Sequence, residues 1–130
     1  MTLDEYNSFC ASLPFATHVV QWGGAHVWKV GGKVFAIAGW SGGEELAVTF
    51  KCSEFAFEIL REQPGCRPAP YLASRGMKWI QRRTGESMDA EALKDYIRES
   101  HGLIFRALPK RVKSELSQAS DGVARPVAGR

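Results

Sequence analysis

The sequence has few of the features that mark disulfide-bonded, membrane-embedded or secreted proteins. Its only cysteines, Cys10, Cys52 and Cys66, are widely spaced and form no C-x-x-C pair, which favours a reducing compartment over a disulfide framework. No run of about 18 apolar residues occurs to span a membrane. The acidic start, MTLDEYNSF, lacks the basic and apolar regions of a signal peptide. We therefore expect a cytoplasmic protein that does not enter a membrane.

Motifs for metal binding and catalysis are also missing. His18, His26 and His101 do not stand three or four residues from one another or from a cysteine, and neither H-E-x-x-H nor an EF-hand loop occurs. The segment GWSGG matches G-x-S-x-G in letters, but a strand-like EELAVTF follows it where a nucleophile elbow needs a helix. The glycine pairs form neither G-x-G-x-x-G nor a Walker A loop. We expect no catalytic activity, no metal and no cofactor.

The composition is that of an ordinary folded domain, with 45% apolar and 24% charged residues. A chain of 130 residues is expected to form one domain. The last segment, QASDGVARPVAGR, has no apolar periodicity, which is typical of a frayed terminus. We predict a single domain over 1–117 and a flexible tail over 118–130.

Helix signals occur at the start, middle and end of this domain. Thr2 and Glu5 form a capping box before a predicted helix over 2–13. The segment EFAFEILRE predicts a second helix, and Ser87 or Asp89 is expected to cap the last long one.

Strand signals lie between the helices. VWKV and KVFAIA flank Gly31-Gly32 and predict a hairpin, LAVTFK alternates, and GMKWIQRR predicts a later strand. With a two-glycine loop, Val30 lies opposite Lys33 and Trp28 opposite Phe35. The order of elements predicts an α+β fold: a two-layer sandwich with helices packed on one face of an antiparallel sheet.

Charge is segregated between the predicted helices and strands. No acidic residue occurs between Glu5 and Glu44 or between Glu62 and Glu86. The predicted strands carry cations instead, namely Lys29, Lys33, Lys51, Lys78, Arg82 and Arg83. Helix dipoles and the protection of edge strands alone produce part of such a pattern. If helices cover one sheet face, however, these cations gather on the open face and its turns and favour a polyanion, although the net charge is only +3.

Several segments, in their order and spacing, resemble the MmcQ/YjbR family. They are VWKVGGKVFAIAG, VTFKCS leading into FEILREQPG, PYL before a tryptophan strand, and LPKR after the last helix. The likeness covers about residues 3–113 and differs at Lys78-Trp79, where family members often have His-Trp. It implies a CyaY-like α+β fold and, as commonly described for the family, DNA binding through a double wing of hairpins.

The resemblance and the charge pattern together predict a small DNA-binding protein of low sequence specificity. The nucleic-acid-binding candidates are the cations of the two wings, their periphery and one tryptophan: Lys29, Lys33, Arg75, Lys78, Trp79, Arg82, Arg83 and Lys110. Tyr71 and Trp79 are candidates for stacking on an unpaired base, although Trp79 also fits a core position.

A binding module for a protein or a small anionic ligand is the alternative. It would use the proline-rich loop over 64–75 and a cleft beside Tyr71 and Trp79. Iron handling, which the CyaY-like fold brings to mind, fits badly because the first helix carries only Asp4 and Glu5 as carboxylates.

Overall fold

The computed structural model describes residues 1–39, 45–70, 72 and 76–128, with side chains as far as residue 119. The helices in this part are α1 (Leu3–Ala11), α2 (Glu54–Leu60), α3 (Ala90–Arg106) and α4 (Lys110–Ala128). The strands are β1 (Ala16–Gln21), β2 (Ala25–Val30), β3 (Lys33–Ala38), β4 (Val48–Lys51), β5 (Cys66–Pro68) and β6 (Trp79–Arg82). Of these helices, none has the length and hydropathy to cross a bilayer.

The six strands form one sheet in the order β1-β2-β3-β4-β6-β5, and each neighbouring pair is antiparallel. The predicted caps are present: Thr2 and Glu5 exchange the two hydrogen bonds of a capping box, and Asp89 caps α3. The predicted α+β architecture with an antiparallel sheet is confirmed.

The main core lies between the sheet and the helices. Fully buried side chains of both layers meet there: Tyr6 of α1, Phe35 of β3, Phe50 of β4, and Leu93 and Ile97 of α3. Each such side chain stabilises the fold by roughly 1.5–3 kcal/mol on burial. The same core takes side chains from α2 and from the start of α4, so the helices cover one face of the sheet.

The β2–β3 hairpin departs from the predicted register at one residue. Val30 pairs with Lys33 as predicted, but Trp28 pairs with Ala36 and not with Phe35. Phe35 is an extra residue on β3, and both it and Ala36 belong to the core on the helix side. The predicted pairing of Trp28 with Phe35 is wrong because a β-bulge turns two successive β3 residues towards the helices.

Two segments near the predicted boundaries are now defined. A short strand, β5, lies within residues 64–75, where the prolines predict an ordered loop or short extended segments, and it agrees with the second alternative. The helix α4 continues to Ala128, through the part of the chain predicted as a tail from 118. The boundary at 117 therefore does not coincide with the end of a helix, while the mobility of the tail stays a prediction.

A serine of α3 parts the sheet between β3 and β4. These strands pair from Ala38 to Ala36 on β3, and the next rung would join Phe35 to Lys51 directly. The Ser100 hydroxyl stands in that rung instead: it donates to the Phe35 carbonyl at 2.7 Å and accepts from the Lys51 N–H at 2.9 Å. Both backbone groups are satisfied, and the two strands diverge beyond this point.

Replacing Ser100 by alanine tests this bridge. Because Ser100 is fully buried, the change leaves the Phe35 carbonyl and the Lys51 N–H without their partner, and we expect unfolding free energy to fall by about 2–3 kcal/mol. Urea unfolding measures it. The exposed Ser8 of α1 is the control, since Ser8→Ala should change stability by at most about 0.5 kcal/mol. Equal stability of the two variants would show that β3 and β4 can close without the serine.

Candidate functional site

The sheet face opposite the helices carries a second, smaller apolar cluster. Ala25, Val27 and Ile37 are buried there, with Val34 and Leu72 packed against them. Leu72 follows β5 in the sequence and covers part of the face that the helices leave free.

A cleft of about 790 Å³ lies beside this cluster, where β3 and β4 part. Its described lining is mostly apolar and consists of Trp22, Val34, Ile37, Pro70, Leu72, Met77, Trp79 and Ile104, together with Lys33 and Lys51. Ile104 lies one helical turn after Ser100 and also packs against the helix-side core. Ile104 therefore contributes to both the helix-side core and the cleft. We call this site the β3–β4 cleft.

The polar groups described in the β3–β4 cleft are hydrogen-bond donors. Within the described part of the chain, Lys33 and Lys51 form no ion pair, and the ion pairs that do occur join side chains on or beside the helices. Trp79 is only 5% exposed, yet its indole Nε1 has no hydrogen-bond partner among the described residues. The ammonium groups of Lys33 and Lys51 can only donate hydrogen bonds, so the cleft suits a ligand that accepts them.

Arg82 does not belong to a ligand-binding surface, and its predicted contact with phosphate is wrong. The side chain is 3% exposed on the helix side of β6, where its Nε and Nη2 donate to the Met88 carbonyl at 3.0 and 2.8 Å. Its Nη1 has no partner among the described residues. Strand alternation explains the difference, because Ile80 and Arg82 share the face that packs against the helices.

The other predicted cations divide between the two ends of the sheet. Lys29 and Lys33 lie at the β2–β3 turn, and Lys110 begins α4 two residues after Leu108, whose side chain lies against Gly31. Lys78 instead places its Nζ 4.9 Å from the Phe57 ring of α2, on the helix side. Arg83 is exposed beyond the far end of β6.

Two of the predicted ligand residues, Tyr71 and Arg75, lie outside the described residues. Trp79 is buried, as expected of a core position, and it also lines the β3–β4 cleft; its stacking on an unpaired base stays a prediction. The structure therefore brings Lys33 and Trp79 to one site and leaves Lys78 and Arg82 on the other side of the sheet.

The sequence patterns missed several members of the cleft. Lys51 could have been found, because the alternation of β4 places it on the face opposite Val48 and Phe50. In the structure it pairs with Trp79 and shares its face. Trp22 has no such signal, because it reaches the cleft from a turn in which its φ is +52°. Ile104 lies on α3, and no local sequence signal shows that it also lines the cleft.

A pair of histidines forms a separate polar cluster on β1 and β2. His18 Nε2 lies 3.0 Å from His26 Nδ1, and the His18 ring stacks on Trp28 with centroids 4.7 Å apart. Asn7 of α1 accepts a hydrogen bond from the Trp28 indole. Among the described residues, no group of three or more metal-ligating side chains occurs.

The cysteines offer no reactive thiolate at neutral pH. All three are free. Burial raises the pKa of Cys10 to about 12 and that of Cys52 to about 11. Desolvation also raises the pKa of the half-buried Cys66.

These features define an α+β protein with a lysine-bearing apolar cleft on the sheet face opposite its helices. A family model described as YjbR matches residues 11–103, and the chain belongs to the YjbR family. No curated protein matches the chain.

Two solved structures have the same fold. A Deinococcus radiodurans protein with a DUF419 domain is 23% identical, with a TM-score of 0.76 over 89% of this chain and 88% of its own. A Pseudomonas syringae protein is 16% identical, with a TM-score of 0.64 over 80% of this chain and 99% of its own. At these identities the likeness supports the fold and leaves the ligand open.

Substitution of the two neighbouring arginines separates a structural from a surface role. Arg82→Ala removes both donors to the buried Met88 carbonyl, and we expect the unfolding free energy to fall by about 2 kcal/mol. Arg83→Ala removes an exposed side chain and should change it by at most about 0.5 kcal/mol. Urea unfolding of both variants is the measurement, and an Arg82→Ala variant as stable as the parent would contradict the structural role.

The histidine pair predicts a pH dependence of stability. His18 is exposed, but partial desolvation of its ring, and next the charge of His26, lower its pKa from the ordinary value of 6.5. The unfolded chain therefore binds the proton first as the pH falls, so the stabilisation is complete above about pH 6.5 and declines below it. Between pH 7.5 and pH 5.5, the unfolding free energy measured with urea should fall by less in His18→Gln than in the parent. The same loss in both proteins would assign the pH dependence to other groups.

Proposed function

We propose that this protein is a non-catalytic binding module whose ligand occupies the β3–β4 cleft. One observation carries the proposal: a mostly apolar cleft of about 790 Å³ includes two lysines without ion-pair partners in the described part of the chain. Its volume lies in the range of small-molecule sites, which are commonly apolar with a few polar groups that fix orientation.

The described lining favours binding over catalysis. It contains no carboxylate, imidazole, thiol or aliphatic hydroxyl, the groups that most often act as bases and nucleophiles in enzymes. His101, the buried histidine of α3, is engaged elsewhere, with its Nε2 2.8 Å from the Pro14 carbonyl. Lys33 and Lys51 are the ionisable groups of the described lining, and we assign them to recognition by charge and hydrogen-bond donation and not to catalysis.

Nucleic-acid binding is the second candidate. It is favoured by the lysines near the β2–β3 turn, Lys29, Lys33 and Lys110, which form no ion pair among the described residues. A turn that carries unpaired cations can lie against phosphates as one wing. The case for a second phosphate-binding wing is weaker, because Arg82 is buried and Lys78 contacts Phe57.

An NMR titration distinguishes the two candidates. A set of small apolar carboxylic acids should shift the indole N–H signals of Trp22 and Trp79, because both line the cleft. Trp22→Ala should weaken the binding by about tenfold, as expected for an aromatic contact. The matched control is Phe55→Ala, since Phe55 is an exposed aromatic residue of α2 outside the described lining.

The same spectra recorded with a DNA duplex and a single strand at low salt give the opposing result. Shifts confined to Lys29, Lys110 and their neighbours, with both indole signals unchanged, would assign the function to the turn and overturn the cleft. Such binding should also weaken with salt, with a log–log slope of about −0.9 for each duplex phosphate contacted. No shift with any ligand would contradict both candidates.

A further inference from the structure

Among the described residues, no carboxylate pairs with the charged members of the β3–β4 cleft. Lys33 and Lys51 are contributed by strands that have parted, so each projects from a strand end beside apolar side chains. Their ammonium groups form no ion pair with any described carboxylate. A neutral ligand would bring apolar surface against two cations and leave their charge unmatched, which is unfavourable in a partly dehydrated site.

Trp79, a residue with a further donor, lies beside these lysines. The Trp79 indole N–H is buried without a partner in the described part of the chain, and Trp79 lines the cleft next to Lys51, with which it pairs across β4 and β6. Two ammonium groups and an indole N–H offer donors only. The complement to such a set is a group with several acceptor oxygens and a negative charge.

The remaining lining is apolar and sets the rest of the ligand. Trp22 and Met77 are 50% and 40% exposed, although both are large hydrophobic side chains. Exposed apolar surface around a concave site is typical of ligand-binding sites. An inorganic anion would meet the lysines but leave this surface in water.

We infer that the β3–β4 cleft binds an organic anion: a molecule with one carboxylate, sulfonate or phosphate group on a compact apolar body. The inference rests on the proposed function of the cleft and adds the class of ligand. Lys33 and Lys51 bind the anionic group, and Trp22, Met77 and Trp79 cover the apolar body.

Two fluorescent probes that differ by a single group test the inference on the full chain. They are 8-anilinonaphthalene-1-sulfonate and N-phenyl-1-naphthylamine, which has the same ring system without the sulfonate. We expect the sulfonate to bind at least about tenfold more tightly, the order expected of charge-assisted hydrogen bonds. Inorganic phosphate should not displace it at equal concentration.

A matched pair of double variants locates the charge effect. Lys33→Met with Lys51→Met should reduce the affinity for the sulfonate to that for the neutral probe, while the neutral probe binds as before. Lys29→Met with Lys110→Met removes the same net charge near the β2–β3 turn, outside the described lining, and should leave both affinities unchanged. Cooperative urea unfolding of each variant confirms that the probes report on folded protein.

The outcomes separate the class of ligand from the function of the cleft. Equal affinities for the two probes, both lost in Trp22→Ala, would overturn the anionic class and leave the binding module standing. Binding of neither probe would count against both. If inorganic phosphate displaces the sulfonate probe, or if both double variants lose the same affinity for it, the protein attracts negative charge in general. Either result would overturn the inference that the cleft binds an organic anion.

Discussion

The position of the Ser100 hydroxyl is the constraint on which the account of this protein depends. It occupies the rung where Phe35 and Lys51 would otherwise bond directly, and it satisfies both backbone groups. Without such a bridge, parting β3 and β4 would leave a buried carbonyl and a buried N–H unpaired. With it, α3 holds the strands apart at little cost, and Ile104 contributes to both the helix-side core and the β3–β4 cleft.

The cations on the two faces of the sheet have different surroundings, because only one face is covered by the helices. On that face Arg82 is buried and binds the Met88 carbonyl, and Lys78 lies over the Phe57 ring. On the opposite face Lys33 and Lys51 line an apolar cleft without ion-pair partners in the described residues. The charge of a strand residue therefore says little about function until its face is known.

Local signals predicted much of the architecture. The Thr2 capping box, the Asp89 cap and the hairpin at Gly31-Gly32 each depend on residues near one another in sequence, and all three are present. The bulge at Phe35 and the burial of Arg82 depend on contacts with distant elements, so sequence spacing could not predict them. The cleft itself was only partly predicted: Trp79 was a candidate, but the approach of Trp22 and Ile104 requires the folded sheet.

A crystal structure of the protein with 8-anilinonaphthalene-1-sulfonate tests the central claim most directly, because it shows where the anion lies. The account predicts the sulfonate within about 4 Å of both the Lys33 and Lys51 Nζ atoms, and the rings between Trp22 and Trp79 at the gap held open by Ser100. A probe bound at the β2–β3 turn or on the helices, with the β3–β4 cleft empty, would contradict it.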